Sequence, residues 1–353
     1  MVRAYSRYRR LAFLACALLA TVVWLLSGPT DSAGPVGGSL TVNDIGLYKD
    51  IAARVAAGES YYSAAADEHR ASGFPLNPFY TVRPPLLAWL TAALGPDGAR
   101  LMAIAFVFAG AIAWSLRLHR SNYSAAEVVA AGLLYATGTF YFLATDMSFH
   151  AAWTGCLVGL AAALLTRRSY WPAIALGCLA AMMREFGVLF LGAGLALALW
   201  RRAWRQSAAW LAGMALVLLY YAGHAAMVAQ VRLSDDVRSQ GWLAFQGPIF
   251  AIQNGVGYSL LRILGRPLGG AMLLLAVFGW AGAGRDGRIL YLFGAGALTL
   301  TAVAARADNS YWILLLTPWT SAGLAFLPRL VRDAIAATKK GAGPRPAPSR
   351  PTD

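Results

Sequence analysis

Long apolar runs recur from Leu11 to Leu327, separated by short polar or basic clusters. Runs of this length and continuity predict membrane-spanning helices, since the strands of a β-barrel would alternate polar and apolar positions instead. The first run, LAFLACALLATVVWLLSG (residues 11–28), fills the ~20 residues that a span needs. DSAG after it loosely resembles a signal-peptidase site, but the many later spans favour an uncleaved first helix. Further spans are predicted at 99–116, 124–144, 150–166, 169–183, 187–200, 207–229, 264–283, 289–305 and 311–328. The fold class is therefore all-α and polytopic, with about ten spanning helices in one transmembrane domain over residues 1–336. The basic, Pro- and Gly-rich tail at 337–353 is expected to be a disordered cytoplasmic end.

Two stretches break the pattern. PPLLAWLTAALG (residues 84–95) would make a helix of roughly 18 Å, little more than half a hydrocarbon core. It reads as a half-helix that enters from outside and returns at GPDGAR; a complete short span is the competing reading. Before it lies the longest polar stretch, a first extracytoplasmic loop over residues 29–83. Within this loop Asn43 or Asp44 is placed to cap a helix that ends near Gly58. Ile45, Tyr48, Ile51, Ala52 and Val55 recur on one of its faces, as in an amphipathic helix lying along a membrane.

Charge supplies the orientation. The net charge is +14, yet only 13% of residues are charged. Arg3, Arg7, Arg9 and Arg10 precede the first run. Arg117 with Arg120, Arg167 with Arg168, Arg201 with Arg202, and Arg285 with Arg288 punctuate alternate later ones. These are the cytoplasmic clusters of the positive-inside rule. Basicity is thus a topology signal, with little left for a nucleic-acid surface, and both termini are expected in the cytoplasm. Cys16, Cys156 and Cys178 lie in apolar runs without metal-ligand spacing.

This topology gathers the unusual polar residues on the outer face: Asp44, Arg83, Arg100, Asp146 with His150, Arg184 with Glu185, and Arg306 with Asp308. Ionisable groups at span ends are costly unless they pair locally or serve a site. Arg184 and Glu185 (MMREFG) could form a neutralised turn, Asp44 a simple cap, and Arg83 a snorkelling interfacial cation. Alternatively, Arg83 stands at headgroup depth with Pro84 and Pro85 fixing the backbone before the half-helix, a geometry suited to a membrane-anchored phosphate.

The order of these features resembles a family. One helix precedes a long outer loop with an early acid (Asp44) and LYKDIAARVAAGESYY; then come Arg83–Pro84–Pro85–Leu86 and ATDMSFHAAW with Asp146. It is similar to the integral-membrane glycosyltransferases of the C-type fold (GT-C), which include protein mannosyltransferases and lipid A aminoarabinose transferases. MREFGVLFL is similar to a step in the related polyprenyl-phosphate-mannose-dependent transferases. The resemblance covers roughly residues 1–200. It implies an inverting enzyme in a bacterial inner (plasma) membrane. Its donor would be a polyprenyl-phosphate-linked sugar, its acceptor a lipid, glycan or protein, and transfer would occur on the extracytoplasmic side. It further implies Asp44 as general base, Arg83 as the residue facing the donor phosphate, and Asp146 as a second acid. One departure is that Asp44 lies between Asn43 and Ile45, where many relatives carry two adjacent acids.

The chemistry is coherent with these roles. A positioned carboxylate can take the acceptor proton, and Arg83, helped by Arg184 and Arg306, can stabilise the leaving phosphate. Tyr48, Tyr61, Tyr80, His150 and Glu185 are expected to line the substrate cavity. No cofactor is called for. A divalent metal on Asp67, Glu68 and His69 is the weaker reading, because an exposed polar turn explains that run more simply. A polyprenyl-lipid flippase or transporter is the rival function, along with a non-catalytic lipid-binding component of a polysaccharide assembly system. A transporter would tend to show internal repeats, and none is visible.

Overall fold

The computed structural model describes residues 18, 21–22, 38–121, 123–140, 148–166, 169–241 and 243–339, without the side chains of 38–43, 285–286, 334 and 337–339. The first predicted span (apart from those three positions), Asp146 and the tail beyond 339 lie outside the described residues. The chain is helical, and among the described residues no strand occurs beyond an isolated bridge between Asn77 and Arg238.

Two helices, α1 (Gly38–Ala56) and α2 (Tyr61–Ala71), occupy the first loop. The bundle follows as α3 (Leu86–Arg120), α4 (Ala125–Ala136), α5 (His150–Leu164), α6 (Trp171–Met183), α7 (Val188–Trp200) and α8 (Trp204–Val231). It closes with α9 (Gly247–Gly257), α10 (Gly265–Gly282), α11 (Gly284–Ala304) and α12 (Leu327–Lys339). Among the described residues four helices are long and apolar enough to cross a membrane, or five if one bent pair counts as a single span. The shorter apolar helices α5, α6 and α7 have 15, 13 and 13 residues. At 1.5 Å per residue they reach about 20 Å; α6 and α7 keep one exposed apolar face, with Trp171, Leu179, Leu199 and Trp200 on the surface, whereas α5 is enclosed. Helix α5 is the axis: His150 through Ala163 are all buried. Its small residues let neighbours approach closely, as between packed membrane helices. Trp114 donates its indole N–H to the Gly159 carbonyl at 3.1 Å.

Four local expectations change. Helix α1 begins at Gly38, so Asp44 lies inside its second turn and is not its cap; Leu47, Ile51 and Ala52 form its buried side. The predicted half-helix is the first part of α3, which starts at Leu86 and breaks at Gly95 (φ 71, ψ 166) before Pro96. Glycine tolerates that positive φ and Pro96 cannot continue the hydrogen-bond ladder, so the break falls at the predicted return point. The predicted last span at 311–328 is instead two 3₁₀ runs, Ala307–Leu316 and Thr320–Phe326, with a 50° bend. Pro318 lacks an amide donor and pushes Thr317 into extended backbone (φ −87, ψ 138), which ends the first run. Finally, α9 fills a stretch that carries no predicted element, and α12 runs on to Lys339, past the expected start of the disordered tail.

Candidate active site

The site grows from the turn that carries Arg83. Pro84 and Pro85 offer no amide donors, and the two carbonyls before them are taken by side chains instead. His224 Nε2 lies 3.0 Å from the Val82 carbonyl, and the Tyr61 hydroxyl donates to the Arg83 carbonyl. The Arg83 side chain is thereby aimed inward and is only 6% exposed. Its guanidinium donates to the Tyr48 hydroxyl (3.2 Å), the Tyr311 hydroxyl (3.3 Å) and Glu185 Oε1 (3.5 Å). Residues from the first loop, the α6–α7 hairpin and the broken C-terminal segment therefore meet at one cation.

Arg184 stands at the tip of that hairpin in extended backbone (φ −151, ψ 135), where α6 ends. Its side chain is fully buried. Three aromatic faces surround the guanidinium: Phe186 at 4.9 Å, Tyr311 at 5.2 Å and Trp312 at 5.8 Å. Nε lies 3.8 Å from Glu185 Oε1, but Nε, Nη1 and Nη2 all lack hydrogen-bond partners among the described residues. A buried cation with one long ion pair is costly, and the aromatic faces offset only part of that cost. This geometry suits a site that receives an anion, because an incoming phosphate would satisfy donors that the protein leaves open.

Asp44 faces this pair from α1. Burial pushes its carboxyl up to about 6, while Arg83, the Tyr311 hydroxyl and Arg184 pull it back down. Tyr48, one turn along α1, packs edge-on against His150 with ring centroids 4.9 Å apart. His150 opens α5, is buried, and leaves Nδ1 without a hydrogen-bond partner among the described residues. Beside these residues a cavity of about 660 Å³ opens between α1 and the kinked start of α3. Tyr48, Tyr61 and His150 form one wall, and Leu87, Ala88 and Arg100 belong to the rest of the lining.

The structure thus brings together Asp44, Tyr48, Tyr61, Arg83, His150, Arg184 and Glu185. Arg306 sits at the margin: it is held by an ion pair to Asp308 and donates to the Gly241 carbonyl at 3.3 Å, while sensing Asp44 through space. Tyr80 belongs to a neighbouring aromatic group, 5.6 Å from Phe79, which in turn packs on His224. Asp146 lies outside the described residues. The run Asp67–Glu68–His69 is committed elsewhere. Asp67 and Glu68 bind Arg54, and His69 Nδ1 lies 2.9 Å from the Pro75 carbonyl. Among the described residues no group of three metal-ligating side chains is found.

Tyr311 is the residue that sequence reasoning missed. It accepts from Arg83, touches the face of Arg184, and stacks on Phe149 at 5.0 Å. Its signal was the Tyr–Trp pair just after Arg306 and Asp308, which hydropathy assigns to an ordinary span end.

The sequence matches no protein-family model and no curated protein. Among solved structures, the fold matches the crystal structure of ArnT from Cupriavidus metallidurans in the apo state, an aminoarabinose transferase of the C-type class. The TM-score is 0.51 at 15% identity, covering 94% of this chain and 62% of that one. The chain has a C-type glycosyltransferase fold and spans less than two thirds of the ArnT structure's length.

Proposed function

We propose that this chain, with its C-type fold, is a membrane glycosyltransferase that uses a polyprenyl-phosphate sugar as donor. The observation that carries the reading is the buried Arg184 guanidinium, open to an anion, beside Arg83 and within the field of Asp44. In the reaction the acceptor hydroxyl oxygen attacks the anomeric carbon as the bond from that carbon to the phosphate oxygen breaks. The acceptor proton passes to Asp44, and the bonding electron pair leaves with the polyprenyl phosphate. An aspartate held near 6 is more basic than usual yet mostly ionised at neutral pH, as a general base should be. Arg83 and Arg184 stabilise the charge that builds on the leaving phosphate, and no leaving-group acid is needed. A single displacement inverts the anomeric centre. Glu185 holds the two guanidinium groups together before donor arrives, and the cavity beside Tyr48 and His150 receives substrate. The acceptor is a lipid, glycan or protein, and the reacting face is extracytoplasmic in a bacterial plasma membrane.

The test is incubation of purified full-length protein with a panel of polyprenyl-phosphate sugars and candidate acceptors, scoring release of lipid phosphate. Acceptor-dependent release with at least one donor, abolished in Asp44→Asn, supports the reading. Donor binding or translocation without any release would move the chain to the flippase or lipid-binding class.

A further inference from the structure

The end of the bundle opposite Arg83 carries a second cavity with a different character. Helix α5 runs from His150 at the site to Leu164, about 21 Å away at 1.5 Å per residue. There a cavity of about 490 Å³ lies among the ends of α3, α5 and α7 and the start of α8. Part of its lining is apolar, including Ala113, Leu116, Gly194, Leu197 and Ile289. The rest is largely polar and cationic, with Arg117, Arg120, Arg201 and Gln206, and no acid appears among the described lining residues.

The three arginines are not equivalent. Arg117 is anchored: it donates to the Ala162 and Ala163 carbonyls at 2.6 and 3.1 Å and lies 5.3 Å from the Trp114 ring centroid. Arg120 and Arg201 are exposed, and their side chains make no hydrogen bond or ion pair among the described residues. The turn that presents Arg201 is strained. The next residue, Arg202, has φ 53, a left-handed conformation that a non-glycine side chain adopts at a cost and that clusters at functional sites. Leu116 both lines the cavity and is exposed on the surface of the bundle, so the cavity communicates with whatever surrounds the helices.

We infer that this cavity binds an anionic phospholipid, with its phosphate at Arg120 and Arg201 and the start of its acyl chains on the apolar lining. A cavity lined by both apolar side chains and exposed arginines fits an amphiphile better than a free anion, and basic pockets between helices on the cytoplasmic side are the recognised chemistry for such headgroups. The site is separate from the Arg83 cluster and stands whether or not the transferase reading does.

The probes are phosphatidylglycerol, phosphatidylcholine and inorganic phosphate, titrated against full-length protein in detergent with bound lipid counted by native mass spectrometry. Wild-type protein should retain phosphatidylglycerol in preference to phosphatidylcholine, and millimolar inorganic phosphate should not displace it. In the double variant Arg120→Gln/Arg201→Gln retention should weaken by about 30-fold, each juxtamembrane cation being worth a factor of about five. Ala113→Phe keeps every arginine but narrows the apolar lining, and it should also evict the lipid. Arg262→Gln, at an exposed arginine outside the cavity lining, should leave retention unchanged. Equal retention of the two lipids, or a double variant that binds like wild type, would overturn the site. Retention by Ala113→Phe would reduce it to surface charge, and displacement by inorganic phosphate would make the occupant a free anion.

Discussion

Arg83 and Arg184 meet at a single atom: Glu185 Oε1 is 3.5 Å from Arg83 Nη1 and 3.8 Å from Arg184 Nε. One carboxylate oxygen holds two buried guanidinium groups, so the local charge is +1 before Asp44 is counted. A phosphodiester monoanion arriving there would neutralise that single positive charge and give Arg184 the acceptor it lacks.

That relationship predicts the effect of Arg184→Met. Removing a buried, weakly paired cation should leave the ligand-free protein at least as stable as wild type. Wild type should gain about 2.7 kcal/mol from polyprenyl phosphate at 100 times its Kd, and the variant should gain almost none. Thermal unfolding with and without lipid reads both quantities. A variant that unfolds early without ligand would make Arg184 a structural residue.

Asp44 lies in the second turn of α1, so Asp44→Asn costs no helix cap. Turnover should fall by on the order of 10²–10⁴-fold, with donor binding largely intact. Wild-type turnover in the folded variant would remove Asp44 as the base and leave Asp146 as the next candidate.

The pH profile follows from the same residue. Its carboxyl is pushed up to about 6, and a general base works only when ionised. Activity should therefore fall as pH drops through about 6, with the slope of one proton, and be flat above. In Asp44→Asn the residual activity should show no such limb.

Tyr311→Phe should move that limb upward, because the Tyr311 hydroxyl lowers the Asp44 pKa and the variant lacks it. Arg83 also loses an acceptor, so turnover on the high-pH plateau should drop by about 10-fold, as for a lost hydrogen bond to a charged group. An unmoved limb would separate Tyr311 from Asp44.

The topology is checked by cysteine labelling at two exposed positions, Ser72 and Ser169, against buried native Cys156 and Cys178. An impermeant reagent added from outside should reach Ser72→Cys and not Ser169→Cys. The reverse pattern would place the Arg83 cluster on the cytoplasmic side.

Much of the site was legible because charge is conspicuous in an apolar chain. Arg83, Arg184, Glu185 and Asp44 are all costly in or beside membrane helices, and Gly95–Pro96 marks a break by backbone chemistry alone. Tyr311 and Trp312 were hidden, since aromatic residues at a span end are ordinary membrane-interface residues. Pro318 did carry a signal inside the predicted last span, but hydropathy averages over a single missing amide. Helix α9 escaped because its 11 residues are too few for a span and include Asn254, whose amide is satisfied by the Phe250 carbonyl one turn back.

The broken segment that bears Tyr311 rests on α5 through bare backbone. A methyl group added at Gly155 would stand 2.0 Å from the Thr317 carbonyl oxygen and 2.9 Å from that of Leu314. No side chain lies between to absorb such a push, so the displacement would pass along the segment to the ring beneath Arg184. The Arg83–Arg184 cluster is thus held in register by a place where there is no side chain at all. A random search for inactive variants would return small residues deep in the bundle, far from any charge, as readily as the acids and arginines themselves.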